Sequence, residues 1–197
     1  MENEITNKES VCEKVVLYIE NKYNEKFEYI GSTDGGFDTD SRMLMVSPKN
    51  DPSLHIDVNY RYIDGKEQYW ENYTQIKYAE KTKSLIEQLL FDFFNANVIV
   101  DYRFGCSDND FDENTTFEEF VCDEESAINF FAVVEPGYKF EDAEMIKQSL
   151  IKYCRQEFSY CRGTSCFATT SDEFKSYYEL PSWQIVEMEK VKFGVGE

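Results

Sequence analysis

Residues 54–62 read Leu54-His-Ile-Asp-Val-Asn-Tyr-Arg-Tyr62, the most regular alternation of apolar and polar side chains in the 197-residue chain. Every even position in this stretch is apolar or aromatic, and every odd position is polar or charged. Successive side chains of a β-strand point to opposite faces, so this pattern predicts a half-buried antiparallel strand with one polar face. Asp64-Gly65 follows and predicts the turn that ends the strand.

Hydrophobic spacing on both sides of this strand predicts a mixture of helices and further strands. Apolar residues recur at helical spacing in four segments, 9–24, 68–95, 116–124 and 141–157. Short apolar runs bounded by turn residues predict strands at 27–30, 43–47, 98–104, 127–134 and 184–193. Residues 158–161 and 166–170 predict a hairpin around the four-residue loop 162–165.

This order of elements predicts an α+β fold, with a single antiparallel-rich sheet, helices packed on one face and a partly open polar face. We expect a single domain, 1–197, whose lobes would be 1–95 and 96–197 if it divides. The polar sides of strands 54–62 and 98–104 would share the open face. That face would carry His55, Asp57, Asn59, Arg61, Asp101 and Arg103.

The chain is strongly acidic, with 39 Asp and Glu against 20 Lys and Arg and a formal net charge of −19. Hydrophobic residues make up 42% and aromatic residues 16%, which favours a folded core over an acidic disordered chain. The charge disfavours direct binding to nucleic acid or anionic membranes, because both need Lys and Arg. No uncharged apolar run is long enough to span a membrane.

The N-terminal sequence and the cysteines bear on the compartment. Met1-Glu-Asn-Glu-Ile-Thr has neither the basic nor the apolar region of a signal peptide, so we expect a cytoplasmic protein. The alternative is an exported protein whose leader is absent from this sequence. In that case Cys161 and Cys166, which flank the predicted hairpin loop, would be placed to form a disulfide.

The acidic excess is concentrated where the chain has no basic residue, between Arg103 and Lys139. Ten acids fall in this gap: Asp108, Asp110, Asp112, Glu113, Glu118, Glu119, Asp123, Glu124, Glu125 and Glu135. Such a stretch predicts either a solvated acidic surface or a site for a basic protein, which it would attract electrostatically.

Part of this stretch also matches the ligand spacing of a calcium loop. Asp108, Asp110, Asp112 and Glu119 occupy positions 1, 3, 5 and 12. The sixth position, where the backbone turns sharply, is Glu113 instead of the glycine that such loops use. The same segment fits a helix capping box at 115–118 or 116–119, so the alternatives of a calcium loop and a capped helix stay open.

Catalytic signatures are weak. His55 is the single histidine, and it lies on the polar side of its strand, where an exposed histidine is the simpler interpretation. None of the six cysteines has a sequence context that marks a nucleophile, and no second Cys/His pair completes a zinc site. No Gly-rich phosphate loop occurs. We therefore expect a non-catalytic protein without a cofactor.

Three groups of residues carry a resemblance to other proteins: the segment 18–29, Val46-Ser-Pro-Lys49 and Glu71-Asn-Tyr73. In these segments the chain resembles uncharacterised small proteins of Gram-positive bacteria. The resemblance covers about a third of the sequence. It implies a bacterial source and carries no functional residues.

Taken together, these features predict an acidic binding protein that engages, and inhibits, a basic protein such as a toxin or a nucleic-acid-binding enzyme. Tyr177, Tyr178 and Trp183 lie in an irregular region and are predicted as exposed aromatic anchors. The predicted partner-binding residues are Asp108, Asp110, Asp112, Glu113, Glu118, Asp123, Glu124, Glu125, Tyr177, Tyr178 and Trp183. The alternative is a ligand-binding or calcium-stabilised domain of an exported bacterial protein.

Overall fold

A computed structural model describes residues 2–32, 41–103, 111–123, 126, 128–138, 142–177 and 188–195. The chain divides into two compact units, one formed by Met1–Lys77 with Gly105–Thr116 and the other by Tyr78–Phe104 with Phe117–Glu197. None of the described helices combines the length and the apolar character that a bilayer crossing requires.

The described residues of the first unit form two helices and a four-stranded antiparallel sheet. Its elements are α1 (Glu2–Tyr23), β1 (Phe27–Ser32), β2 (Ser41–Pro48), β3 (Ile56–Ile63), β4 (Lys66–Glu71) and α2 (Tyr73–Lys77). The strands pair in sequence order, each antiparallel to the next. The alternation predicted for β3 is confirmed, since Ile56, Val58 and Tyr60 are buried while Asp57 and Asn59 are only partly covered.

Helix α1 covers the buried face of this sheet. Val15 and Ile19 are fully buried and belong to one core cluster with Phe27, Val46 and Val58 of the strands. The helix begins at Glu2, well before residue 9, where hydrophobic spacing predicts its start. The spacing does not reveal this first part because residues 2–10 carry no apolar periodicity that marks a helix.

The helix predicted over 68–95 is wrong at its start, because strand β4 extends to Glu71. Asp64 and Gly65 both have positive φ, 52° and 77°, which is the geometry of a two-residue hairpin turn between β3 and β4. Tyr69 lies opposite Tyr60 across this hairpin, and the two rings pack together. The Tyr69 side chain is therefore part of the sheet and not of the apolar face of a helix. The helical part of the prediction is divided between α2 and a later helix, α3 (Ala79–Phe94).

The second unit contains the rest of the elements. They are α3, β5 (Val98–Arg103), α4 (Phe117–Cys122), β6 (Ile128–Val134), α5 (Ala143–Cys154), β7 (Cys161–Phe167), α6 (Ser171–Lys175) and β8 (Glu189–Val195). The strand order is β5-β6-β7-β8, with β6 and β7 parallel and the other pairs antiparallel. A parallel pair needs a crossover, and α5 lies in the connection between β6 and β7.

The α+β class is therefore correct, but the prediction of a single sheet is wrong, because the described strands form two four-stranded sheets. The residues of the predicted open face belong to two different sheets. His55, Asp57, Asn59 and Arg61 belong to the first unit, whereas Asp101 and Arg103 lie on β5 of the second. Hydrophobic patterning shows which side of a strand is buried, but not which strands pair.

The predicted hairpin at 158–170 is also wrong. Residues 161–167 form one continuous strand, β7, which is paired on both sides. Five residues along a strand separate Cys161 from Cys166 by about 17 Å, too far for a disulfide. The two side chains also point to opposite faces, because they are an odd number of positions, five, apart along the strand. Of the strand predicted at 184–193, residues 184–187 lie outside the described residues.

Candidate functional site

The described part of the acidic stretch begins with a short turn around Asp112. Phe111 is buried beside it. The Asp112 carboxylate accepts a hydrogen bond from the Asn114 backbone N–H at 2.8 Å, and the Asp112 N–H donates to Thr115 Oγ1 at 2.9 Å. Asp112 thus supports local backbone, while Glu113 next to it is exposed. Asp108 and Asp110 lie outside the described residues.

Helix α4 separates acidic from apolar side chains. Phe120 and Val121 are buried, and Phe117 and Phe120 pack against the Tyr78 ring with centroid distances of 5.5 and 5.6 Å. Glu118 and Glu119, in the first turn, are exposed. The aromatic contacts therefore fix the helix so that it presents two carboxylates to solvent.

Of the remaining predicted acidic residues, the structure describes Asp123. Asp123 follows α4 and is partly covered, with its backbone carbonyl accepting the Ser126 hydroxyl at 2.8 Å. Glu124 and Glu125 lie outside the described residues. Within the described ranges no group of three or more His, Cys, Asp or Glu side chains is arranged to hold a metal ion. With Asp108 and Asp110 outside those ranges, the calcium loop stays a prediction.

The aromatic anchors need a correction. Tyr177 is only 6% exposed, and its ring stacks on Phe131 at 5.8 Å with an interplanar angle of 9°. It belongs to a core cluster with Val133, Cys166 and Met188, so the expectation of an exposed ring was wrong for this residue. The short helix α6 precedes it, and Phe174 of that helix packs against the same cluster. Tyr178 and Trp183 lie outside the described residues.

The candidate nucleophiles have contrasting environments. His55 is exposed, one residue before β3 begins. Burial raises the pKa of the Cys166 thiol to about 11. A hydrogen bond with Cys154, together with burial, also raises the pKa of Cys161. Only a thiolate attacks efficiently, so neither buried thiol is suited to nucleophilic chemistry near neutral pH.

We expect iodoacetamide at pH 8 to modify the exposed Cys122 on the order of 100 times faster than Cys161 or Cys166 in the folded protein, since the buried thiols supply little thiolate. Peptide mapping by mass spectrometry after timed alkylation measures the rates. The same reaction in urea is the control and should remove the difference. Equal rates in the folded protein would contradict the assignment of these two thiols to the core.

The second sheet has one face covered by α3 and α5, and an opposite face that packs at one end against Tyr177 and Met188. Helices α3 and α5 pack on β5 and β8, over the face that holds Val100, Ile128 and Phe193. The opposite face carries a lateral row in which Arg103 pairs with Asn129 and Asn129 pairs with Arg162. Both arginines are exposed.

Sequence reasoning placed Arg103 on an open face but put Arg162 in a hairpin loop. The segment 161–166, with one Gly, one Thr and three Ser or Cys positions, has little of the β-branched and aromatic enrichment that marks a strand. The pairing of β6 with β7 is parallel and joins segments more than 30 residues apart. No local signal in the sequence predicts that these two arginines lie on one face.

Comparisons with known proteins identify no characterised family. No protein-family model matches the chain, and no curated protein matches it. A search of solved structures finds the crystal structure of a DUF5037 family protein from Ruminococcus gnavus ATCC 29149, which is 14% identical to this chain. The match covers 92% of this chain and 90% of that chain with a TM-score of 0.45, which is too low to support an inference.

Proposed function

We propose that this protein is a non-catalytic binding protein whose acidic surface engages a basic protein partner. The observation that carries the proposal is the orientation of α4, whose Glu118 and Glu119 are exposed while Phe120 and Val121 anchor the helix in the core. These carboxylates lie in the stretch between Arg103 and Lys139, which contains no basic residue. A fixed acidic surface of this kind attracts a basic cleft.

The physical basis is long-range electrostatic attraction in a chain of net charge −19. Complementary charge raises the rate of encounter more than it raises affinity, so the acidic surface acts mainly on association. The partner class is a basic protein such as a toxin or a nucleic-acid-binding enzyme. Binding would inhibit such a partner by covering the cleft that it uses for its own anionic substrate.

The salt dependence of association tests this proposal. The tagged full-length protein would be used to capture a partner from an extract of the source cell, and that partner would then be purified for stopped-flow kinetics. We expect the association rate constant to fall about tenfold between roughly 50 and 500 mM NaCl, because salt screens exposed charges. A rate constant that does not change with salt would contradict electrostatic engagement.

Charge-neutralising variants locate the surface. The pair Glu118→Gln and Glu119→Gln should lower the association rate constant about threefold to tenfold at low salt. The matched control is Glu144→Gln with Glu157→Gln, which removes the same charge from exposed positions at the two ends of the α5 region. An equal loss in both double variants would show that only net charge matters and would overturn the assignment to α4.

A further inference from the structure

The row Arg103, Asn129, Arg162 lines a shallow pocket on the second sheet, beside the start of β6 and β7. The pocket has a volume of about 190 Å³ and is lined by Arg103, Asn129, Phe130, Phe131, Arg162, Gly163 and Thr164. Beyond Arg162 the row ends at Gly194 of β8, which has no side chain to close that flank. Donor groups from three adjacent strands therefore converge on one depression.

The sheet face that carries this row is basic in a chain that is otherwise strongly acidic. Its described positions on the four strands include four basic residues, Arg103, Arg162, Lys190 and Lys192. They include one acid, Asp101. Because the chain has 20 basic against 39 acidic residues, four bases to one acid on a single sheet face is a local reversal of charge. The reversal favours an anionic ligand.

Contacts with described residues hold both guanidinium groups in place. Arg103 donates from Nε to Asp101 Oδ2 at 3.2 Å, which uses one of its five N–H donors. Arg162 lies over the Tyr160 ring with 5.5 Å between its Cζ atom and the ring centroid. Such contacts restrict the rotamers of a long side chain before a ligand binds. The side chain then loses less conformational entropy on binding, which favours affinity.

The spacing of the two arginines suits a single anion between them. They lie on strands separated by one other strand, which places their Cα atoms about 10 Å apart. Their long side chains can reach a common group above Asn129, and the planar guanidinium binds phosphate or carboxylate oxygens in pairs. Thr164, on the same face as Arg162, brings a hydroxyl donor to the pocket.

We propose that this pocket binds a phosphate group, as inorganic phosphate or as the phosphoryl group of a small monoester. A phosphate presents more acceptor oxygens than a carboxylate to the guanidinium donors and the Thr164 hydroxyl. The volume is below the range of sites for drug-sized ligands, and Phe131 gives the pocket an apolar wall beside the donors. None of the residues that line the pocket belongs to α4, and the site is independent of the function proposed above.

Isothermal titration of the full-length protein at constant ionic strength tests the site. Inorganic phosphate, glycerol phosphate and acetate would be titrated separately. We expect saturable binding of at least one phosphate compound, with acetate at least about tenfold weaker. Tighter binding of glycerol phosphate would identify a monoester as the ligand, and equal binding would identify the phosphate group alone. No saturation by either phosphate compound below about 20 mM, or acetate binding as tight as phosphate, would overturn the proposal.

Variants tie the binding to the two arginines. Arg162→Gln and Arg103→Gln should each weaken phosphate binding about tenfold or more, because each removes a charged donor. Arg155→Gln is the matched control, since Arg155 is exposed just after α5 and does not line the pocket. Circular dichroism of each variant verifies folding. Phosphate affinity that is unchanged in both pocket variants, or lowered equally in the Arg155 control, would refute the site.

Discussion

Replacing Glu71 with alanine is expected to destabilise the protein by about 3–5 kcal/mol, because it removes one partner of a buried ion pair. Glu71 ends β4 and is 1% exposed. Its Oε1 accepts hydrogen bonds from Lys22 Nζ at 2.9 Å and from the Tyr23 hydroxyl at 2.7 Å. Its Oε2 accepts from the backbone N–H of Tyr73, where α2 begins.

One carboxylate thus joins the end of α1, the end of β4 and the start of α2. Without it, the ammonium group of Lys22, whose side chain is 14% exposed, loses its ion-pair partner in a largely buried environment. The Tyr23 hydroxyl would keep its contact with Thr74 Oγ1 at 2.9 Å. The cost of leaving a buried charge unpaired therefore dominates the expected effect.

Urea unfolding followed by circular dichroism measures this effect, and the chain supplies a matched control. Glu67 lies on the same strand and pairs with Lys14, but its side chain is 33% exposed. Glu67→Ala should cost at most about 1 kcal/mol, as exposed ion pairs do. If Glu71→Ala costs no more than Glu67→Ala, the network does not stabilise the first unit as described.

Gly163→Ala is expected to destabilise the protein by about 2–3 kcal/mol through overpacking. A Cβ atom at Gly163 would lie 2.5 Å from Cζ of Phe130 and 2.5 Å from Cζ of Phe193. These two rings are both 5% exposed and meet edge to face at 5.7 Å across β7. Because both rings are buried, making room for the methyl group means shifting ring atoms against their packed neighbours.

A double-variant cycle separates this overpacking from a loss of backbone freedom. Phe193→Leu alone should be destabilising, because it removes buried ring atoms. Combined with Gly163→Ala it should cost less than the two single effects added, since the smaller side chain makes room for the methyl group. Thermal or urea unfolding gives the coupling energy. Strictly additive effects would show that the close approach of the two rings is not the cause.

Local patterning predicted the elements whose signals lie within one segment. The stripe of Ile146, Leu150 and Cys154 at i, i+4 and i+8 is the buried side of α5, and the Asp142 side chain caps its first turn. The alternation of β3 is likewise present in the structure. In each case the spacing of apolar side chains along the chain is enough to predict the element. Helices and half-buried strands require that spacing in any fold.

Patterning failed where a residue's role depends on a distant partner. Tyr69 and Tyr73 are spaced as on a helix, yet Tyr69 pairs across a hairpin with Tyr60. Tyr177 lies just after a short helix, and its burial depends on Phe131, 46 positions earlier in the sequence. The same reason applies to Glu71, whose partner Lys22 is 49 residues away.

The amino-acid sequence by itself determined the acidic charge, the α+β class, the buried faces of the main elements and the base-free stretch around α4. Only the tertiary structure decided that the strands form two sheets, that 161–167 is one strand, and that Arg103 and Arg162 lie on the same face of one sheet. The physical reason is that periodicity is a local property of the chain. Strand pairing and the convergence of charges join segments far apart in sequence, so they depend on the packing of the whole unit.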